Sequence, residues 1–450
     1  MTTVSTPALP DASDRRLRLM VAAAAVVLGT AVVLLAHMLS TTVRGALGIG
    51  VFLLVIAACS TNLRAVNWRT VGWGLVLQWT FALFILKFEI GGWRPGYELF
   101  AWVSGVVKRF LEFTNAGSQF VFGGLADPVA MEKIFPGGFV FAFVALPTII
   151  FVSSFFTVLY YFGVLQFIVR LMAKAMMYLM RTSGAETLSA TANVFMGQTE
   201  APIIVKPYVP KMTQSELLAM MIGGMATISG GVMAVYISLG ADPVAILTTS
   251  VMAAPCGLYL AKILLPETEV PETLGTVRTE VEKTHVNVVD AAAAGASDGT
   301  MLAINVAAML IAFLAFIAMF DYALSAMWSG LTLSAVFAKV FAPAAILMGV
   351  PMADVPYIAD LLGTKLVANE FVAYVKLTTQ YQGVLSAEGY TLATYALTGF
   401  ANFASIGILL GGIGAMAPTR RGDIARLGGR ALLGGFLATM INAAIASMLM

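Results

Sequence analysis

The chain has 450 residues, of which 59% are hydrophobic and 11% are charged, and its mean hydropathy is +0.89. Soluble domains carry roughly 25% charged residues, so a soluble fold is excluded by the apolar surface that it would have to hide. The net charge of +2 does not suggest a nucleic-acid partner, and the two cysteines and two histidines indicate neither a disulfide framework nor a Cys/His metal site.

Apolar runs of membrane-spanning length follow one another along the chain. A helix needs about 20 apolar residues to cross a bilayer. The sequence therefore predicts nine spans, near 18–40, 44–60, 70–88, 137–167, 214–239, 242–264, 299–320, 388–416 and 430–450. The first run is longer than the apolar part of a typical signal peptide, so we interpret it as a retained membrane helix.

Four further segments are apolar in part but interrupted by polar residues. Segment 98–124 mixes charged residues with Phe, Val and Leu, which is typical of an amphipathic helix at the membrane interface, and 326–349 is similar. Segments 184–212 and 353–383 each carry polar residues at their centre and precede a glycine-interrupted apolar helix. We expect both to form re-entrant hairpins.

Lysine and arginine residues cluster in alternate loops. The clusters lie at 15–18, 64–69, 170–181, 206–211, 262–283 and 420–426. If the N-terminus is cytoplasmic and the first hairpin enters and leaves on one side, all of them are cytoplasmic, as the positive-inside rule requires, and the C-terminus is periplasmic. The two hairpins then enter from opposite sides, which is the inverted repeat by which many secondary transporters form a midplane site.

The expected fold class is an all-α polytopic membrane protein with about nine transmembrane helices, two oppositely oriented re-entrant hairpins, an inverted-repeat transport domain and interfacial helices. The predicted parts are a cytoplasmic tail at 1–17, scaffold helices with an interfacial helix at 18–135, a first half of the core at 136–264, a cytoplasmic linker at 265–298 and a second half of the core at 299–450.

The first hairpin contains the run from Asn193 to Pro202 at its centre. A charged Glu200 at bilayer depth costs at least ~2.5 kcal/mol unless it is paired or hydrated, and Gly197 and Pro202 both oppose a continuous helix. Backbone groups exposed at such a break can bind an ion or a substrate. The alternative is a polar loop that protrudes into water.

Three other runs place polar groups in apolar surroundings. Run 223–232 has four glycines and two hydroxyls, run 369–371 has a second carboxylate, Glu370, and run 400–407 has Asn402 and Ser405 on one helical face. Their structural alternatives are close helix packing, a solvated loop and interhelical hydrogen bonding, respectively. Together the four runs suit a neutral, hydroxyl-rich ligand with an aromatic part, and a small cation would help to neutralise their carboxylates.

These runs closely resemble the signatures of the concentrative nucleoside transporter family, of the bacterial sodium-coupled type. The matching runs, in the family's order, are Gly197-Gln-Thr-Glu-Ala-Pro202, Met212-Thr-Gln-Ser-Glu-Leu217, Asn369-Glu-Phe-Val-Ala-Tyr374, Phe400-Ala-Asn402, and Leu409-Leu-Gly-Gly412 with Ala417 to Arg426. Five runs in register are a specific signal, and the resemblance extends from about Arg44 to the C-terminus.

The resemblance implies a sodium–nucleoside symporter of the bacterial inner membrane, which imports a substrate such as uridine by elevator-like movement of a transport domain. It implies a homotrimer surrounded by membrane lipid, with a separate substrate site in each protomer, Na+ as the coupling ion, no organic cofactor and no nucleic-acid partner.

The resemblance also assigns the site residues. Those implied for the substrate are Gly197, Gln198, Thr199, Glu200, Val232, Glu370, Phe400, Asn402 and Ser405. Residues 198–200 would hold the nucleobase, Val232 and Phe400 would make apolar contacts, and Glu370, Asn402 and Ser405 would hold the ribose hydroxyls. The sodium ligands would be the side chains of Asn193 and Thr227 and the carbonyl oxygens of Met196 and Ile228.

Some departures from the family pattern matter. Thr227 replaces a serine and keeps the hydroxyl, Met196 replaces a smaller aliphatic residue, and Ala404 stands where a serine is often found. The span 18–40 is extra.

Three alternatives stay open: a proton-coupled symporter, a facilitative channel, and an intramembrane enzyme that uses Glu200 and Glu370 as an acid/base pair. The sequence offers that enzyme no nucleophile, metal cluster or nucleotide-binding loop, so we expect no enzymatic activity.

Overall fold

The computed structural model of the protein describes residues 12–127, 130–131, 133, 140–274 and 285–450. The described part is built from α-helices and short 3-10 turns, which confirms the predicted all-α class. The predicted boundary at 135/136, most of the predicted tail and part of the predicted linker, 275–284, lie outside the described residues.

The helices follow the predicted order. The N-terminal part contains α1 (Ala12–Leu34), α2 (Thr41–Ala58), α3 (Trp68–Leu86), α4 (Pro95–Glu112) and α5 (Thr114–Phe122). Residues 141–264 contain α6 (Phe141–Tyr161), α7 (Val164–Met180), α8 (Gly184–Ala192), α9 (Gln214–Ala226), α10 (Gly230–Ser238) and α11 (Pro243–Leu264). Residues 288–449 contain α12 (Val288–Met327), α13 (Leu333–Val340), α14 (Ala342–Leu347), α15 (Val355–Val367), α16 (Glu370–Thr379), α17 (Ala387–Leu397), α18 (Phe403–Met416) and α19 (Arg421–Leu449).

Within the described ranges, 8 segments are long and apolar enough to cross a membrane. They comprise α1, α2, α3, α6, the pair α9 and α10, α11, α12 and the segment that contains α19, and each overlaps a predicted span. The remaining predicted span, 388–416, is divided into α17 and α18, of 11 and 14 residues. The predicted interruption of this helix is therefore confirmed, and the break lies between Leu397 and Phe403.

The predicted span 137–167 ends too late. Gly163 has a φ of 77°, in the left-handed region that favours glycine, and it separates α6 from α7. The new helix exposes Phe167, Leu171 and Tyr178 while burying its opposite face, as an interfacial amphipathic helix does. Apolar residues on both sides of Gly163 concealed this turn in the sequence.

The two segments predicted to lie at the interface are also helical. Segment 98–124 corresponds to α4 and α5, which expose Trp102, Phe113 and Phe120, and 326–349 contains α13 and α14. No membrane is part of the structure, so their interfacial position remains a prediction.

The two interrupted helices meet at their breaks. The Phe400 N–H donates to the Thr227 carbonyl oxygen at 3.1 Å, which joins the break before α18 to the break before α10. Gly399 makes this approach possible, since its φ is 156° and an added Cβ would lie 2.7 Å from the Thr439 Cγ2 atom. Ser229 and Asn402 cap the N-termini of α10 and α18. Two positive helix ends are thus directed into the centre of the molecule.

The two hairpins enter from opposite faces of the molecule. At the base of the first, the Gly184 N–H donates to the Thr273 carbonyl at 2.9 Å. On the same face, a backbone N–H just after the end of α2 donates to the carbonyl of the last residue of α11. At the base of the second, an Arg44 guanidinium nitrogen contacts the Met352 sulfur at 3.0 Å, beside the other end of α2. Because α2 joins the two faces, the hairpin bases lie at its opposite ends.

Helices α6 and α12 form a tightly packed pair. An added Cβ on Gly295 would lie 2.5 Å from the Thr157 hydroxyl, and one on Gly299 would lie 2.8 Å from the Ile150 Cα atom. The Ser154 hydroxyl also donates to the Ala292 carbonyl at 2.8 Å. Small residues allow the two backbones to approach closely.

The extra helix α1 is anchored at its N-terminal end. Asp14 accepts the Leu63 N–H at 3.0 Å and pairs with Arg18 at 3.0 Å, while Arg18 donates to the Ser60 carbonyl at 2.7 Å. The N-terminus of α1 therefore lies on the same face as the loop between α2 and α3.

Candidate functional site

The hairpin tips and the helix breaks surround a cavity of about 180 Å³. All nine residues implied for the substrate line it, namely Gly197, Gln198, Thr199, Glu200, Val232, Glu370, Phe400, Asn402 and Ser405. They come from segments up to 208 positions apart in the sequence, counted from Gly197 to Ser405. The fold thus assembles the predicted set in one place, and the role of each residue remains a prediction.

Glu370 is the most highly connected carboxylate of the cavity. Its two carboxylate oxygens accept hydrogen bonds from the Tyr236 hydroxyl at 3.2 Å and from the Asn402 amide at 2.8 Å. It begins α16, whose N-terminus is capped by Asn369. Two hydrogen-bond donors and a positive helix end thus converge on this carboxyl group. The arrangement fixes an acceptor at the cavity wall.

Gln198 links the two halves of the core. Its amide nitrogen donates to the Ser405 hydroxyl at 3.3 Å, while its amide oxygen is buried and has no hydrogen-bond partner in the described structure. Leaving a buried acceptor unpaired costs about 1–3 kcal/mol. A ligand with an N–H or O–H group aimed at this oxygen would remove that cost.

The remaining predicted residues complete the first hairpin's side of the cavity. Glu200 is exposed and accepts the Gly197 N–H at 3.1 Å. Thr199 packs against α18, because an added Cβ on Gly412 would lie 2.5 Å from its methyl group. Val232 and the half-buried Phe400 provide apolar surface. Apolar and aromatic groups next to a few fixed polar ones are typical of small-molecule sites.

The sequence alone did not reveal the residue that supports Glu370 from α10. Tyr236 is fully buried, and its ring stacks on Tyr374 with centroids 3.9 Å apart. The Tyr374 hydroxyl shares a hydrogen bond with Thr398 at 2.7 Å. A tyrosine in an apolar helix usually needs a hydrogen-bond partner for its hydroxyl, and this could have indicated a polar neighbour for Tyr236. The sequence did not identify that neighbour, because it lies 134 positions away.

Helix α12 closes the cavity on a side that the sequence did not predict. Leu302, Asn305, Val306, Met309 and Leu310 line this wall. Their spacing of three and four places them on one helical face, and Asn305 is the polar member. A single amide in a long apolar helix was a weak signal, because it is equally typical of helix packing.

The four residues implied for sodium lie where the first hairpin meets the break before α10. Asn193 is fully buried, its amide nitrogen donates to a carbonyl one turn back at 3.0 Å, and its amide oxygen has no partner in the described structure. The Thr227 hydroxyl donates at 2.9 Å and keeps its acceptor capacity. Within the described part, no backbone N–H donates to the carbonyl oxygens of Met196 or Ile228. This set of oxygen donors fits a sodium ion.

Three stretches of the chain match known protein families. Residues 47–125 and 245–447 match the N- and C-terminal parts of the Na+-dependent nucleoside transporters, and 142–243 match a nucleoside-recognition domain named Gate.

The curated relatives come from animals and bacteria. The mouse sodium/nucleoside cotransporter 1 is 42% identical over 426 residues, which cover 89% of this chain and 63% of that protein. An uncharacterised transporter of Haemophilus influenzae is 42% identical over 412 residues, which cover 89% of this chain and 96% of the relative. The chain thus spans less than two thirds of the mouse protein and nearly all of the bacterial one.

Solved structures of the transporter CNTnw are also similar. The inward-facing, substrate-bound state has a TM-score of 0.86 and 38% identity, and the match covers 91% of this chain and 98% of that one. A variant in an outward-facing state gives the same TM-score and coverage.

Proposed function

The chain belongs to the concentrative nucleoside transporter family, and from this we propose that it is a symporter that couples nucleoside import to sodium influx. The observation that carries the proposal is the cavity between the oppositely inserted hairpins, where the Glu370 carboxylate, the unpaired Gln198 oxygen and apolar surface face one another. A nucleoside such as uridine has donors on both base and ribose. It therefore complements both acceptors at once.

In this proposal each end of the cavity recognises one part of the substrate. The Gln198 oxygen accepts an N–H of the base, which lies against Val232 and Phe400, with Thr199, Glu200 and the Gly197 backbone beside it. Glu370 accepts ribose hydroxyl protons, and Asn402 and Ser405 hold the ribose from α18. Analogues without these donors leave buried acceptors unpaired and are rejected.

Sodium binds at the neighbouring oxygen cluster of Asn193, Met196, Thr227 and Ile228. The cluster lies within the contact between the first hairpin and the α10 break, so the ion holds together the segment that also carries Gln198. An added Cβ on Gly224 would lie 2.7 Å from the Gln198 Cβ atom and 3.6 Å from the Asn193 amide oxygen. Ion binding thereby orders the nucleoside site, which is the basis of coupling.

Alternating access follows from two structural units. The hairpins and interrupted helices carry the cavity, whereas α6 and α12 form the wall along which this core moves. We place the protein in the bacterial inner membrane as a homotrimer in contact with lipid, with its N-terminus in the cytoplasm and its C-terminus in the periplasm. Two hydrogen bonds support this orientation, because each brings one basic cluster close to another on the same face. Arg18 donates to the Ser60 carbonyl, near the 64–69 cluster, and Arg420 donates to the Met212 carbonyl at 2.5 Å, next to the 206–211 cluster.

The test is uptake of labelled uridine into proteoliposomes of the purified protein. An inward sodium gradient should drive accumulation above equilibrium, and replacement of sodium by potassium should abolish it. Uptake driven by a proton gradient alone would identify a proton-coupled symporter, and equilibration without any ion gradient would identify a channel. Chemically altered uridine inside the vesicles would instead indicate an enzyme.

A further inference from the structure

Helix α7 carries basic residues that the proposed transport function does not use. Its sequence contains Arg170 and Lys174 and no acidic residue, and Arg181 follows as its C-cap. All three side chains are exposed, and none of them forms an ion pair within the described part of the chain. The Arg170 Nε–H donates at 3.1 Å to the Gln166 carbonyl of its own helix, which does not neutralise the charge. We call these three residues the basic stripe.

Large apolar side chains share the exposed face of α7. Phe167, Leu171 and Tyr178 are 66%, 64% and 83% exposed, and their spacing of four and seven places them along one edge of the helix. Lys174 is three residues from Leu171 and four from Tyr178, so this apolar stripe lies directly beside the basic stripe. The opposite face, which includes Val169, is buried. The exposed face thus presents two chemically different edges along its length.

Helix α7 lies along one face of the molecule. The 8 segments of the described ranges that are long and apolar enough to cross a membrane do not include it. Its C-terminal end is joined to the start of α3, because the Thr70 hydroxyl donates to the Met180 carbonyl at 2.9 Å. Trp68, the first residue of α3, is exposed there, and tryptophan is enriched at membrane–water interfaces. With 17 residues α7 extends about 25 Å and ends at the base of the first hairpin.

The charge of α7 differs from that of α4, which is also amphipathic and exposes a basic pair, Lys108 and Arg109. Helix α4 contains two acidic residues as well, Glu98 and Glu112, so its own charges cancel. Helix α7 has no such compensation. Uncompensated basic charge beside apolar surface is typical of helices that bind anionic membranes.

An anionic phospholipid complements both stripes at once. Its acyl chains pack against the apolar stripe, and its phosphate oxygens accept charge-assisted hydrogen bonds from guanidinium and ammonium groups. A zwitterionic lipid has the same phosphate, but the cation of its headgroup offsets the attraction to the basic stripe. A soluble acidic protein would match the basic stripe and leave the apolar stripe in water, which costs free energy. The two stripes together therefore select a lipid with a net negative charge.

We propose that the exposed face of α7 binds anionic phospholipid, with the phosphate at the basic stripe and the acyl chains on the apolar stripe. This inference goes beyond the proposed function, since it requires neither the nucleoside nor the sodium ion. Helix α7 leads into α8 through residues 181–183 alone. The bound lipid therefore holds the base of the first hairpin at the membrane surface.

Native mass spectrometry of the purified full chain in detergent, without nucleoside or sodium, counts the lipids that stay bound. Titration with phosphatidylglycerol and with phosphatidylcholine of identical acyl chains should show at least one phosphatidylglycerol per protomer bound more tightly than any phosphatidylcholine. Arg170→Gln combined with Lys174→Gln should weaken binding of that phosphatidylglycerol about 25-fold, or about fivefold for each charge removed, and leave phosphatidylcholine unaffected. Arg181 is kept, because its φ of 54° belongs to the left-handed conformation that ends the helix.

Lys108→Gln combined with Arg109→Gln is the matched control, since it removes the same charge from α4. It should retain the wild-type affinity for phosphatidylglycerol. Equal weakening by the two double variants would show that only net charge matters, and equal wild-type affinities for the two lipids would show that the surface is not selective. Either result would overturn the inference. A thermal scan verifies that both double variants remain folded.

A further variant tests the apolar stripe separately. Leu171→Gln keeps every charge and should weaken both lipids alike, by about tenfold, whereas unchanged binding of both would overturn the arrangement in two stripes. The same spectra report the mass of the oligomer. If the α7 double variant keeps its phosphatidylglycerol but dissociates into smaller species, α7 covers a neighbouring protomer and the inference is wrong. Because lipid binding is measured without substrate, failure here leaves the proposed function unaffected.

Discussion

Replacing Glu370 by glutamine tests the site where its contacts are best defined. The carboxylate accepts from Tyr236 at 3.2 Å and from Asn402 at 2.8 Å, and in the proposed complex it also accepts from the ribose. Glutamine has nearly the same shape as glutamate, but its NH2 group is a hydrogen-bond donor. That donor must face another donor, either the Asn402 NH2 group or a ribose hydroxyl proton. Every surviving hydrogen bond becomes neutral, at roughly half its former strength.

The expected cost follows from these contacts. Loss of about 1–1.5 kcal/mol on each of two hydrogen bonds amounts to about 2–3 kcal/mol, or a 30- to 150-fold weaker uridine affinity. Isothermal titration of uridine at saturating sodium measures it. Glu388→Gln is the control, because Glu388 lies in the first turn of α17 and does not line the cavity. If folded Glu370→Gln binds uridine as tightly as the wild type, the ribose role of Glu370 is refuted.

Three further outcomes are expected. Asn193→Leu removes the unpaired buried oxygen, so the sodium concentration for half-maximal uridine uptake should rise at least about tenfold. Uridine affinity should be largely recovered at saturating sodium. An unchanged dependence of uptake on sodium concentration would place the ion elsewhere. Gly399→Ala places a Cβ 2.7 Å from Thr439 and should lower the unfolding temperature in a thermal scan. Gly429→Ala is the control and should leave that temperature unchanged, because its added Cβ would have no atom within 4 Å. Equal unfolding temperatures for the two variants would contradict the strain argument. Asn305→Ala removes the amide on α12 and should weaken uridine binding by about 1 kcal/mol, roughly fivefold. Thr300→Ala, at an exposed position on the same helix, is the control and should have no effect. If Asn305→Ala binds uridine as tightly as the wild type, α12 makes no polar contact with the substrate.

Much of the architecture could be predicted from local sequence, because membrane-spanning length and the distribution of lysine and arginine are local properties. The polar hairpin tips were also visible, since Glu200 and Glu370 stand in apolar surroundings. Gly163 shows the limit: a single glycine redirects the chain between two apolar helices, and nothing in the flanking composition marks it.

Long-range partners could not be predicted in the same way. Tyr236 and Lys365 are each buried by helices distant in sequence, and the reason for a tyrosine or a lysine there appears only when Glu370 and Ala396 are placed beside them. The wall formed by α12 escaped prediction for a related reason. Its cavity-lining residues are mostly apolar, and apolar residues in a membrane helix carry no signal of what they face.

That wall also suggests how this protein could be inhibited. A nucleoside that touches only the hairpin tips and interrupted helices travels with them, whereas an analogue bearing a bulky apolar group could also insert among Leu302, Met309 and Leu310 of α12. Such a compound would be held by both units at once and would resist their relative displacement. Pharmacologically it would behave as a non-transported blocker, and its affinity would increase with the same apolar bulk that prevents its passage.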